Sequence, residues 1–426
     1  MRTQTLGRKA LLAIVIAPLL ALLGLFLLSA AMTTDDAAII AHLKADFDYL
    51  SRDRADNGRS VDSLTECTGL ALGLPDDPSA VENPFIEAVR APTVRSCPSV
   101  KLFLDGAPTE TYDYFRYWHG YATISRPLLS MSPYTDLRQH AVTVSLILLT
   151  ILLWRIGKDF GAASALSFAL AFLVLNAFAY WIVITKAVTW FLMIGGALWA
   201  SRRKSEAWPC LGFFALGAMT AYFDFLTAPM AVFSLAALVD YAYAARTDGA
   251  VRLKRAAALL AFFMFGYAGL WALKLLIAAM FLGDAVWADA ADAAAIRLRG
   301  DNPNIDSFVP GAAIASNFLR LKIFWGAAAF LIYLVAPLAT ARGRRLLLYC
   351  WRHAKALIFI AAAPLVWLEI LSNHSQIHAH FTQMNFAAAF ILLGLVAFGE
   401  RRLLGGPAVD GDRARRVAVD AAPERA

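Results

Sequence analysis

Long apolar runs, punctuated by short basic clusters, recur along most of this chain. The first extends from Ala10 to about Leu28, behind Arg2, Arg8 and Lys9. Others lie at about 139–155, 160–181, 184–201, 207–223, 228–245, 256–283, 321–341, 355–371 and 383–399. Most come close to the roughly 20 residues a helix needs to cross a hydrocarbon core. The pattern therefore predicts an all-α polytopic membrane protein with about ten transmembrane helices. Two polar stretches interrupt it, 33–138 after the first span and 284–320 later. In the longer one, "NGRS", "LPDDPS", "ENPF" and "RAPT" are turn or cap signals, and they predict a small, mainly helical domain. Its end, "YFRYWHGYATISRPLLSMSPYTDLRQ", is aromatic and amphipathic, and suits a membrane interface with rings at headgroup level.

The basic clusters set the orientation. Arg155 and Lys158; Arg202, Arg203 and Lys204; Arg246, Arg252, Lys254 and Arg255; Arg342, Arg344, Arg345, Arg352 and Lys355; and Arg401 and Arg402 fall in alternate connections. Cytoplasmic loops carry such an excess. Both termini are then cytoplasmic, and 33–138 and 284–320 face outward. The division is 1–32 as a signal anchor, 33–138 as an extracytoplasmic loop domain, 139–402 as the multi-span domain and 403–426 as a disordered cytoplasmic tail. "LLSAAM" offers a cleavage site, but the first apolar run is longer than a typical signal core, which favours an uncleaved span.

Composition agrees with a bilayer protein: 59% of residues are hydrophobic and 17% charged. The net charge of +7 sits in the clusters between spans, so it reads as topology and not as a nucleic-acid groove. Cys210 and Cys350 read as apolar filler. Cys67 and Cys97 share the long outer loop, where an oxidising compartment allows a disulfide; two unlinked cysteines are the alternative.

Ionisable residues inside or beside spans are costly in lipid, so their positions are informative. Lys186, Asp224, Lys274 and Glu369 all fall in the outer half, as does "SNHSQIHAHFTQ" at 372–383. Asp240 lies inward, with Arg246 as its expected partner. Each outer residue also has a purely structural reading: Asp224 as a helix cap, the lysines as snorkelling side chains, His374 and His378 as polar anchors. The two histidines have a helix-face spacing, but no HExxH pattern and no carboxylate nearby except Glu369, which argues against zinc. Binding an anion is the chemical alternative, tightening as the rings protonate toward about pH 6.5. In the outer domain Asp62, Glu66, Asp113, Arg116, His119 and Arg126 stand among aromatic or turn residues. There the bland alternative is a headgroup-binding aromatic belt.

Three stretches, "RYWHGYATISRPLL" (116–129), "YFDFLTAP" (222–229) and "NHSQIHAHFTQMNF" (373–386), resemble blocks in a group of poorly characterised bacterial polytopic inner-membrane proteins. The layout is similar to that of C-type (GT-C) glycosyltransferases: one span, a long outer loop with interfacial helices, then many spans. The resemblance implies transfer of a sugar from a polyprenyl-phosphate carrier to a cell-envelope glycan or lipid, at the outer face of the bacterial inner membrane. It also implies an acidic residue in the first outer loop. The adjacent-carboxylate pair of many such enzymes is not obvious near the start of this loop, where "TTDD" at 33–36 and "DFD" at 46–48 are candidates.

On that reading Asp113, Glu66 or Asp224 is the catalytic base. Arg116, His119, Arg126, Lys274, His374 and His378 bind substrate, the cations stabilising the departing lipid phosphate. The expected partners are a lipid-linked sugar donor and an envelope acceptor, with no nucleic acid. A divalent cation is the one candidate cofactor, and metal dependence and oligomeric state stay open. The alternatives are an envelope-lipid or polysaccharide transporter (flippase), a surface-polysaccharide polymerase or ligase, and a structural subunit.

Overall fold

The computed structural model describes residues 2–52, 62–74, 83–202, 209–224, 226–248, 253–299, 309–321, 335 and 339–398. These residues are almost entirely helical. The one strand pairing is Pro92–Thr93 with Tyr112–Asp113, antiparallel and two residues long. Among the described residues four helices are long and apolar enough to cross a membrane: Leu6–Ala31, Tyr134–Phe160, Ile184–Ser201 and Leu253–Leu282. Shorter apolar helices accompany them at Ala162–Val174, Cys210–Phe223, Pro229–Ala245 and Gln383–Ala397.

Burial separates a centre from a rim. The apolar window of Ile184–Ser201 is 83% buried, against 22% in Tyr134–Phe160 and 33% in Leu6–Ala31. The rim helices turn Leu11, Leu19, Leu22, Phe26, Ile147 and Trp154 outward. An apolar surface that large is a liability in water and the expected outer face in lipid. The protein is therefore a helical membrane protein. Its tightest helix contact is Cys210–Phe223 against Leu253–Leu282. A Cβ on Gly217 would come within 2.0 Å of the Phe263 carbonyl, and one on Gly266 within 2.0 Å of the Phe214 carbonyl. Only glycine at both positions lets the two backbones touch, as small residues do between membrane helices.

The structure departs from the sequence reading in several places. The run at 160–181 is broken: Ala162–Val174 ends, Asn176 turns left-handed (φ +55°), and a short helix Phe178–Trp181 follows. Asparagine tolerates that conformation better than most residues. Gln383 supplies what the break removes, its Nε2 donating to the Leu175 carbonyl at 3.0 Å. The Arg342–Arg345 cluster belongs to a helix, Ala341–His353, with Leu348 and Trp351 exposed. Most of the expected span at 321–341, all of the 403–426 tail and the Cys350 side chain lie outside the described residues.

The outer domain is built from short capped helices. Asp35, Asp62, Asn83 and Ser96 each accept a hydrogen bond from a backbone N–H in the first turn of the helix that follows. The "ENPF" signal is thus a real cap, with Pro84 in the first turn, where its missing N–H costs nothing. A disulfide joins Cys67, in Ser63–Leu70, to Cys97, in Cys97–Leu104, with Cα atoms 5.2 Å apart. At the other end of the bundle the basic residues gather. Arg255 grips both Asp240 carboxylate oxygens at 2.9–3.0 Å, Arg155 donates to the Ser201 carbonyl at 3.0 Å, and Tyr243 bonds Asp159. Arg255 thus partners Asp240, while the Arg246 side chain lies outside the described residues.

Candidate functional site

Several residues expected at a site instead seat the outer domain on the spans. Glu66 is 2% exposed and receives four hydrogen bonds: from the Ile184 N–H at 2.6 Å, the Thr185 N–H at 3.0 Å, the Thr185 hydroxyl at 2.8 Å and the Tyr134 hydroxyl at 3.1 Å. It thereby satisfies the opening N–H groups of the central helix, where the helix dipole also favours an anion. Burial pushes its carboxyl above the usual range, and those bonds oppose the rise. Arg126, 1% exposed, reaches the Ala31 carbonyl at 3.0 Å, the Leu72 carbonyl at 2.7 Å and the Asp36 carboxylate. Lys274, fully buried, donates to the Ala88 and Val89 carbonyls, both at 3.0 Å. Each of these groups clamps loop to bundle.

Others are spent in the same way. Asp113 pairs with Arg90 at 3.0 Å, and Arg116 binds both oxygens of Asp289 at 2.6 and 2.7 Å. His119, left-handed at φ +55°, bridges the Tyr114 carbonyl (2.7 Å) and the Tyr121 hydroxyl (3.2 Å). Burial drives its pKa down to about 3, so the ring is neutral. Glu369 receives the N–H groups of Gly311 and Ile314, both at 2.9 Å, and so holds the helix Ala312–Leu319.

The structure does bring His374 and His378 together with the outer domain. They line a cavity of about 250 Å³ between the loop, the start of the central helix, the helix Ala285–Arg299 and the 372–382 segment. Three cations face it: Arg95, Lys186 and Arg297. Each lies over an aromatic ring, Arg95 on Tyr112 at 4.9 Å, Lys186 on Phe381 at 3.3 Å and Arg297 on Tyr117 at 5.5 Å from the centroid. Lys186 also pairs with Asp62 at 2.6 Å. The guanidiniums are different. Arg297 donates to the Tyr117 hydroxyl at 2.5 Å and the Ala293 carbonyl at 2.8 Å, and neither it nor Arg95 meets a carboxylate among the described residues. Among the described residues these two ring-held positive charges have no counter-ion, an arrangement chemically suited to an anion.

The imidazole rings lie tilted at 52° to one another with centroids 4.6 Å apart, and His378 packs on Phe381 at 5.0 Å. Burial lowers the pKa of His378 to about 4 and pushes that of His374 well below the ordinary histidine value, against the pull of Asp62. Both rings are thus neutral near pH 7, in place of the protonated imidazoles expected to hold a phosphate. Among the described residues, no group of three His, Cys, Asp or Glu side chains could hold a metal ion.

Asp224 does not line the cavity. It is buried behind it, receiving the Thr189 hydroxyl at 2.9 Å, while Thr227 of the same connection reaches the wall. Sequence reasoning missed Arg95, Arg297, Tyr112 and Phe381. Arg95 sits in a turn and Arg297 on a polar helix, and nothing local marks either as different from a solvated charge. The chain matches no protein family, no curated protein and no solved structure.

Proposed function

We propose that this chain is a GT-C-like glycosyltransferase that binds a polyprenyl-phosphate-linked sugar in the cavity at the outer face of a bacterial inner membrane. The acceptor is a cell-envelope glycan or lipid. One observation carries the reading: Arg95 and Arg297, with no carboxylate partner among the described residues, converge with Tyr112, Tyr114 and Tyr117 on one pocket at the junction of loop and spans. Guanidiniums suit phosphate oxygens, and tyrosine faces suit a sugar ring. In the transition state charge builds on the departing phosphate, where cations already fixed by stacking stabilise it without reorganising.

The ten-span arrangement belongs to the same proposal, with 33–138 and 284–320 outside and both termini cytoplasmic. The gathering of Arg155 and Arg255 at the end of the bundle away from the loop supports that orientation.

The test is turnover. Purified protein in liposomes is given undecaprenyl-phosphate-linked glucose, galactose, mannose and N-acetylglucosamine in turn, with a lipid extract of envelope acceptors, and release of undecaprenyl phosphate is followed. The expected result is release from at least one donor, falling at least about tenfold in Arg297→Ala. A wild-type protein inert toward every donor contradicts the reading.

A further inference from the structure

The positive charge facing the cavity exceeds what one sugar phosphodiester can cancel. Lys186 is already matched by Asp62 at 2.6 Å, which leaves Arg95 and Arg297. No Asp or Glu is among the described residues that line the cavity. A lipid-linked sugar holds its phosphate as a diester, with a single negative charge. One of the two guanidiniums is therefore left for a second anion.

The fold seats the two arginines on different rings. Side chains alternate along extended chain, so Tyr112 and Tyr114 share the cavity face while Asp113 pairs with Arg90 at 3.0 Å. Arg95 lies two residues past Thr93, the cross-strand neighbour of Tyr112, and its guanidinium is 4.9 Å from that ring. Tyr112 contacts Tyr114 at 5.4 Å, and Tyr114 contacts Tyr117 at 5.4 Å. Among the described residues Tyr112 makes no ring contact with Tyr117. Arg297 is fixed on Tyr117 by the phenol at 2.5 Å, with the Ala293 carbonyl as its second anchor at 2.8 Å. The line of contacts thus runs from one guanidinium through three tyrosines to the other.

The two ends differ. Arg297 is on the helix that follows the span Leu253–Leu282, and Asn373 ties that helix to the histidine segment through the Ile296 carbonyl at 2.5 Å. Arg95 belongs to the outer domain, two residues before the disulfide at Cys97. A phosphate joined to a membrane-buried prenyl chain belongs at the span end. The Arg95 end meets the sugar.

We infer that the sugar on the lipid carrier is a hexuronic acid, its carboxylate meeting Arg95 while the carrier phosphate meets Arg297; the inference rests on the glycosyl-transfer reading above. One guanidinium matches one carboxylate in charge and in its pair of parallel N–H bonds, so a carboxylate fits Arg95 better than a second phosphate. The sugar ring lies along the tyrosines between the two charges, its apolar face against theirs. A neutral sugar still binds through its phosphate and leaves Arg95 unused. Discrimination therefore comes from one contact that only the acidic sugar makes.

The test measures affinity on the full-length protein in detergent, at about pH 7, where a carboxylate is ionised. The probes are undecaprenyl-phosphate-linked glucose against glucuronic acid, and galactose against galacturonic acid, each pair differing only at C6. Wild type is expected to bind at least one uronic acid lipid about tenfold or more tighter than its neutral counterpart. Arg95→Gln is expected to erase that preference and to bind the neutral lipids nearly as wild type does. Arg297→Gln is expected to weaken both members of each pair and to keep the preference. Equal affinity within both pairs for wild type overturns the inference, as does a preference that survives Arg95→Gln. So does Arg95→Gln weakening the neutral lipids as much as Arg297→Gln, which would place both arginines on the one phosphate. Wild type that binds none of the four lipids overturns the transfer reading instead, and the acidic-sugar inference with it.

Discussion

Glu66 and Arg297 both stand where the outer loop meets the spans, and they differ in what surrounds them. Glu66 is buried under four donors, and every oxygen lone pair that matters is taken. Arg297 shows a guanidinium to a cavity and, among the described residues, hydrogen-bonds only a phenol and a carbonyl. The first arrangement holds a fold, because buried polar groups are costly unless satisfied. The second leaves unspent charge, which a fold alone has no reason to keep. Lys274 and Arg126 side with Glu66; Arg95 sides with Arg297.

The largest expected effect comes from breaking the saturated side. Glu66→Ala orphans the N–H groups of Ile184 and Thr185 in a dry site, at about 1–3 kcal/mol for each donor left unpaired. It is expected to lower the thermal midpoint in detergent sharply and to expose the outer loop to protease. An unchanged midpoint would show that the loop is seated by apolar packing alone. Gly217→Val follows, since its side chain would enter the Phe263 carbonyl; the expected outcome is loss of the monodisperse protein peak on size exclusion.

A smaller effect concerns acid. His119 has its folded pKa near 3 and an ordinary unfolded value near 6.5. Between those values the unfolded chain binds the extra proton, so stability is full above about pH 6.5 and declines as the pH falls toward 3. His119→Gln is expected to flatten that decline, as read by midpoints from pH 7 to 4. An unchanged slope would assign acid sensitivity to other groups.

Much of the fold was legible because lipid imposes its own pattern. Runs such as Leu6–Ala31 and Leu253–Leu282 need only length and apolarity to announce themselves. The "ENPF" cap and the pairing of Cys67 with Cys97 were also within reach, since capping and compartment are local facts. The break at Asn176 was not, because its cause is Gln383, 207 positions away in the chain, donating to Leu175. The site was legible at Lys186, His374 and His378, which sequence placed at the outer face and which line the cavity. An ionisable residue near a span end signals that something must satisfy it, and sequence does not say whether the partner is protein or ligand. Lys274 and Glu66 turned out to be satisfied by the loop itself, and Arg95 and Arg297 looked like surface charges. Which groups are left over is a property of the assembled fold.

The central claim is that Arg95 and Arg297 serve a ligand and not the fold. The most direct measurement is the thermal midpoint of wild type and of the Arg95→Ala/Arg297→Ala double variant, each with and without undecaprenyl phosphate, and with undecaprenol as the uncharged control. Without ligand the two proteins are expected to unfold within a degree or two of each other, because exposed or unspent charge contributes little to stability. Undecaprenyl phosphate at about 100 times its dissociation constant is expected to stabilise wild type by about 2.7 kcal/mol, and the double variant hardly at all. A variant already destabilised without ligand, or one stabilised as much as wild type by the phosphate, would contradict the account.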